Sequence, residues 1–105
     1  MIDIALVRVT FGRADEAERV GRAMIDECLA ACVNVEGACT SIFRWHDRVD
    51  TAEEAVATFK TTIALAGRLA ARIAELHSYD QPVIESWPVA VDAAVAQWID
   101  DSTHA

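Results

Sequence analysis

Apolar residues recur along this chain at two spacings, and the order in which those spacings alternate restricts the fold more than any other feature. A period of two marks a half-buried strand, and a period near 3.6 marks an amphipathic helix. Ile2, Ile4 and Leu6 alternate with Asp3 and Ala5, and β-branched residues dominate Ile2 to Thr10, which predicts a strand. Phe11-Gly12-Arg13 breaks that pattern. Ala17, Val20, Met24 and Cys28 then follow helical spacing, behind Asp15, Glu16 and Glu18 at the end of the helix dipole that favours acids. The helix is expected from about Ala14 to Leu29. Gly21 inside it costs up to about 1 kcal/mol against alanine, and a close packing contact is the usual reason for such a glycine.

Cys32 to Val35 reads as a second strand, Gly37 as a bulge or break, and Cys39 to Trp45 as extended chain again. His46-Asp47 is the turn, because aspartate tolerates positive φ better than most residues. Ala55 to Thr61 returns, so Cys32 to Thr61 forms one long hairpin with Arg44, Trp45, His46, Asp47 and Arg48 at its tip. Thr62 can cap the next helix, whose apolar stripe is Leu65, Leu69, Ile73 and Leu76. His77 falls where that helix ends, and Pro82 forbids its continuation. Val83 to Val89 is a fourth strand, with Pro88 placing it at an edge. Asp92 to Ile99 is a short last helix, and Asp100 to Ala105 is expected to be a mobile polar tail.

Strand, helix, strand, strand, helix, strand is the split βαβ, or ferredoxin-like, order. The expectation is a single α+β domain over residues 1–105, with both longer helices on one face of an antiparallel sheet. The strands carry apolar residues on both faces, and 53% of the chain is hydrophobic. A second subunit is the simplest cover for the other face, since obligate interfaces resemble a core cut in half.

With 17 acids against nine bases the net charge is −8. No cluster of Lys and Arg exists to hold a phosphate backbone, so nucleic acid is not an expected partner. An acidic surface raises the local concentration of cations without making a metal site. Cys28, Cys32 and Cys39 are odd in number and match no zinc spacing, so they read as reduced structural thiols of a cytoplasmic protein. Met1-Ile2-Asp3-Ile4 shows no basic segment of a secretory signal. No apolar run approaches the roughly 20 residues that span a bilayer, so no membrane is expected as partner.

Four segments in order carry a resemblance to a known family. They are Leu29-Ala30-Ala31-Cys32-Val33-Asn34; Thr40-Ser41-Ile42-Phe43-Arg44-Trp45 through Phe59-Lys60-Thr61-Thr62; Leu76-His77-Ser78-Tyr79-Asp80-Gln81-Pro82 with Trp87-Pro88-Val89; and Gln97-Trp98-Ile99. Together they resemble the CutA, or divalent-cation tolerance, family over nearly the whole chain. The resemblance implies a ferredoxin-like fold, a PII-like homotrimer whose long hairpins reach across neighbours, and a link to tolerance of divalent cations, copper above all. The family's fold relatives, the PII signalling proteins, bind small ligands in the clefts between subunits. This chain departs from the family pattern at Asp47 (a glycine is usual), Ser78 (proline) and Val83 (glutamate). Val9 and Leu76 stand where some members carry a cysteine and an extra histidine. That counts against a high-affinity copper site of that kind.

His77 is the leading candidate metal ligand, since neutral imidazole suits copper and zinc; its alternative is a histidine favoured at a helix C-terminus. Lys60 and Tyr79 lie at element ends and, by the resemblance, approach an intersubunit ligand cleft. The plain alternative for Lys60 is a lysine snorkelling to water. Glu85 shares a strand face with Val83 and could stand in for the family's glutamate there. Trp45 at the hairpin tip would be an exposed apolar patch unless a neighbour covers it, so Trp45, Arg44 and Trp98 are expected trimer contacts. His46 and Asp47 are adjacent, but a turn pair rarely holds a metal alone. No nucleophile with a base partner and no phosphate loop is recognisable, so an enzyme is not expected. Two readings follow: a trimeric, metal-responsive protein that binds divalent cations weakly, or a PII-like trimer with small-molecule clefts.

Overall fold

The alternating pattern of the first ten residues becomes the central strand of the sheet. The computed structural model describes residues 1–104. Its elements are β1 (Ile2–Phe11), α1 (Ala14–Asp26), β2 (Cys32–Trp45), β3 (Arg48–Thr61), a single 3-10 turn (Ile63–Leu65), α2 (Ala66–Leu76), β4 (Ile84–Val91) and α3 (Ala93–Ser102). The four strands form one sheet in the order β2-β3-β1-β4, and each pairing is antiparallel. This is the ferredoxin-like arrangement that the element order predicts.

Strand parity separates the two faces. Val7, Val9 and Phe11 of β1 and Ala55, Ala57 and Phe59 of β3 face one way and are buried. Over them lie Ala17, Val20 and Met24 of α1 and Leu69 and Ile73 of α2, also buried. Each large side chain hidden here contributes about 1.5–3 kcal/mol of apolar transfer. Gly21 meets the expected close contact: a Cβ there would lie 3.0 Å from Val33 Cγ1 on β2. The opposite face carries Leu6, Arg8, Thr58, Lys60, Glu85 and Trp87, and Trp87 is exposed.

α1 stops at Asp26, short of the expected Leu29, and the reason is local. Cys28 adopts φ 58°, the left-handed position after a helix that glycine usually fills. Leu29 N–H donates to Met24 O at 3.0 Å and Cys28 N–H to Ile25 O at 3.0 Å, which is the Schellman pair of bonds. The buried Thr61 hydroxyl then ties this corner by donating to Leu29 O at 2.7 Å.

The hairpin runs as expected from Cys32 to Thr61, but β3 begins at Arg48, well before Ala55. Arg48 to Glu54 shows no apolar period; it is extended because β2 supplies its backbone partners. The irregularity expected at Gly37 lies between Glu36 and Cys39, and the positive φ (61°) falls on Ala38, not on the glycine. At the tip His46 (φ 50°) and Asp47 (φ 62°) are both left-handed. Two successive positive φ values mark a two-residue type I′ turn, whose twist matches that of the flanking strands. Histidine and aspartate are among the residues that tolerate such φ. Pro88 sits in β4, an edge strand, as expected.

Thr62 caps the 3-10 turn, with its hydroxyl accepting from Leu65 N–H at 3.2 Å, and not α2 directly. α3 is capped by Asp92, whose carboxylate accepts from Val95 N–H at 2.9 Å, and it packs on β1 and β3 with Ile99 fully buried. The expected mobile tail is corrected here: α3 continues to Ser102, and Thr103 is buried with its hydroxyl donating back to Ile99 O at 2.9 Å. A polar tail can pack when its hydroxyls satisfy the last helical carbonyls. Of that tail, Ala105 lies outside the described residues. Among the described residues no helix is long and apolar enough to cross a membrane.

Candidate functional site

α2 ends where the chain turns extended at His77 (φ −70°, ψ 142°), whose N–H still donates to Ile73 O. That turn aims the imidazole inward. The ring stacks on Phe11, with centroids 4.4 Å apart and planes 10° from parallel. Tyr79 N–H donates to Nδ1 at 3.0 Å. Nδ1 is therefore the unprotonated nitrogen, and Nε2 carries the proton it donates to Thr10 O at 2.8 Å. Both ring nitrogens are engaged, and the side chain is closed to solvent.

Beside it lies Glu16 of α1, 6% exposed. Its two carboxylate oxygens accept from Ser78 N–H (2.9 Å) and the Ser78 hydroxyl (2.8 Å), and one lies 3.9 Å from His77 Nδ1. A buried carboxylate is tolerable only with such partners. Tyr79 then reaches outward: its ring tilts over His77 at 4.8 Å, and its hydroxyl donates to Glu54 Oε2 at 2.8 Å. Partial burial first, and then the carboxylates of Glu54 and Glu16, push the phenol up to about 12. Gly12 leaves the room for this ring; a Cβ there would lie 3.1 Å from the Tyr79 hydroxyl.

The other candidates are placed elsewhere. Lys60 points to the open sheet face, where Nζ donates to Asn34 Oδ1 at 2.9 Å and Cys32 Sγ lies 3.8 Å from the same oxygen. Six residues of strand, roughly 20 Å, separate Lys60 from Glu54 and hence from the Tyr79 hydroxyl. Glu85 pairs with Arg8 across β1 and β4 at 3.0 Å. Lys60, Tyr79 and Glu85 therefore do not converge within one chain. Trp45 is half exposed at the tip, edge-on to His46 (4.9 Å, 79°), with Arg44 exposed beside it. Trp98 is likewise half exposed on α3. The three cysteines are free and partly buried.

Sequence reading missed Glu16 and Glu54. Glu16 carries the same signal as Asp15, an acid in a first helical turn, and only the fold turns it toward Ser78. Glu54 lies in the polar half of β3, where nothing in the pattern separates it from Glu53.

The donor set does not compose a resident metal centre. The one lone pair of neutral His77 is taken by Tyr79 N–H. Among the described residues no three His, Cys, Asp or Glu side chains come together in a way that could hold an ion. A metal at Nδ1 would require the His77–Tyr79 turn to open.

The sheet order and the overlong β2–β3 arm, half clear of the helical layer, define a class: ferredoxin-like α+β domains with a protruding apolar-tipped hairpin. The chain belongs to the CutA1 divalent ion tolerance protein family, whose model matches residues 5–102. It is 32% identical over 99 residues to the divalent-cation tolerance protein CutA of Thermus thermophilus, covering 93% of this chain and 96% of that one. It is 29% identical to the chloroplastic CutA 1 of rice, covering 94% of this chain but 56% of that protein. Among solved structures, CutA1 from Ehrlichia chaffeensis superposes with a TM-score of 0.93 at 28% identity, over 100% of this chain and 99% of that one. CutA from Xylella fastidiosa does so at 0.93 and 27% identity, over 98% and 100%.

Proposed function

We propose that the chain works as a homotrimeric, cytoplasmic divalent-cation tolerance protein, a binding protein and not an enzyme, which meets copper and other divalent cations weakly at an acidic surface. The observation that supports assembly is apolar surface without cover: Ile42, Trp45 and Val49 on the arm and Trp87 and Trp98 elsewhere are exposed. Scattered exposed apolar residues are ordinary, but several on one projecting ribbon mark an interface. The net charge of −8 supports the attraction of cations. His77, the leading ligand by sequence, serves in this reading as a pin that fixes the loop after α2.

Native mass spectrometry with and without copper(II) and zinc(II) tests the reading. The expected result is a trimer that takes up metal weakly and loses it as salt rises. A monomer would remove the assembly reading. Tight uptake of one metal per chain, abolished in His77→Ala, would restore a histidine-centred site in place of the acidic surface.

A second reading rests on Lys60, whose ammonium is matched by a neutral amide, Asn34, in place of a carboxylate. An anionic small molecule seated between subunits, as in PII-like trimers, would supply the missing charge. Thermal-shift screening of nucleotides and carboxylates tests it, since a ligand of the native state raises its apparent stability. A flat response across anions, or a response retained in Lys60→Gln, would sink it.

A further inference from the structure

We propose that Tyr79 is a strut that fixes the direction in which the β2–β3 arm leaves the sheet, with Glu54 as its foot on the arm. β1 ends at Phe11, which pairs with Ala55. Glu54 is therefore the first residue of β3 without a β1 partner. Opposite it on β2 stands Cys39, the first residue beyond the bulge. From this point outward the chain is a two-stranded ribbon, and such ribbons twist more freely than broad sheets and are marginal alone. Glu54 thus marks the hinge.

The Tyr79–Glu54 bond is, among the described residues, the one side-chain hydrogen bond that joins the arm to the rest of the chain. The other two hydrogen bonds made by arm side chains stay within the arm: Thr40 donates to Glu53 at 2.7 Å, and Asp50 accepts from Thr51 N–H. A strut must itself be held, and Tyr79 is held on three sides. Its N–H is fixed to the His77 ring, itself stacked on Phe11 and bonded to Thr10. The preceding residue, Ser78, is fixed twice to Glu16 on α1. Its ring lies on Gly12, where any Cβ would crowd the hydroxyl. The anchor points are the end of β1 and the first turn of α1, both rigid parts of the core. A charge-assisted bond from an immobilised phenol to a hinge carboxylate therefore transmits the core's position to the arm. The exposed apolar residues Ile42, Trp45 and Val49 ride on that arm, so the strut aims the surface that needs cover.

Hydrogen–deuterium exchange of the full chain, compared at the parent's oligomeric state, tests the proposal. Tyr79→Phe keeps the ring and removes the donor; Glu54→Ala removes the acceptor. Each is expected to speed exchange of arm amides between Cys39 and Glu54 by about tenfold, the scale of one charge-assisted hydrogen bond. The double variant should exchange no faster than either single one, while α2 and central β1 amides keep their rates. Gly12→Ala, which keeps donor and acceptor but crowds the hydroxyl and so displaces the ring, should reproduce the arm-confined increase. Unchanged arm exchange in Tyr79→Phe would overturn the proposal. So would additive effects in the double variant, or a rise spread evenly over α1 and α2, which would mark a general loss of stability.

Discussion

The helix-covered half of the sheet and the β2–β3 arm are built from the same hairpin, yet they are held in different ways. In the covered half, Phe59 and Ala57 of β3 lie under α1 and α2 with nothing exposed. In the arm, Ile42 is 71% and Val49 65% exposed, and cross-strand pairing provides the order. Burial thus stabilises the first region, and backbone pairing with a two-residue turn shapes the second. A chain can afford an arm of this kind only where the rest of the fold is stable without it.

The largest test of that contrast is a pair of truncations. Phe59→Ala should cost about 3–5 kcal/mol in denaturant unfolding. Ile42→Ala should change the chain's own stability by no more than about 0.5 kcal/mol, with its effect appearing in the oligomeric state. Comparable losses from both would erase the distinction. A second test asks how tightly the loop after α2 belongs to the covered half. Glu16→Ala leaves the Ser78 N–H and hydroxyl without their acceptor, and about 1–3 kcal/mol of stability should go with it. A loss near zero would mean that water replaces the carboxylate at no cost.

A third test reads the joint between the regions through pH. Tyr79 is the sole tyrosine, so tyrosinate ultraviolet absorbance reports on it alone. Its folded-state value, raised from 10.0 to about 12, means the folded state holds the proton more tightly than the unfolded one. The contribution is therefore complete below pH 10 and is lost as pH climbs from 10 toward 12. Glu54→Ala should lower the midpoint, and Tyr79→Phe should remove this part of the alkaline loss. A midpoint near 10 in the parent would dissolve the joint. The smallest expected effect is a gain. Cys28→Gly relieves a left-handed non-glycine residue and should add about 0.5–1 kcal/mol after the cost of the freer unfolded chain. A loss would show that the Cys28 side chain packs better than its backbone is strained.

Much of this molecule was legible in the order of its residues. Periodicity over Ile2–Thr10 and at Leu69 and Ile73 is a local consequence of which face must be buried, so strands and helices could be read with their inner sides. Gly21 signalled a close approach because glycine inside a helix is costly, and Val33 is what it approaches. The turn at His46-Asp47 was legible because these residue types tolerate its φ. Where pairing replaced burial, the signal faded: Arg48 to Glu54 is a strand only because β2 lies beside it. The end of α1 at a cysteine and the positive φ at Ala38 likewise broke the expectation that glycine takes such positions. The surrounding bonds and pairing over-determine the backbone there.

The sequence by itself determined the alternation of elements, the inward faces, the hairpin and the family resemblance, because these depend on spacing and residue type along the chain. The tertiary structure decided the rest. It closed both nitrogens of His77, joined Glu16 to Ser78 and Tyr79 to Glu54, and set Lys60, Tyr79 and Glu85 apart. Those outcomes turn on distances between residues remote in sequence, and a hydrogen bond exists only where folding brings donor and acceptor within about 3 Å.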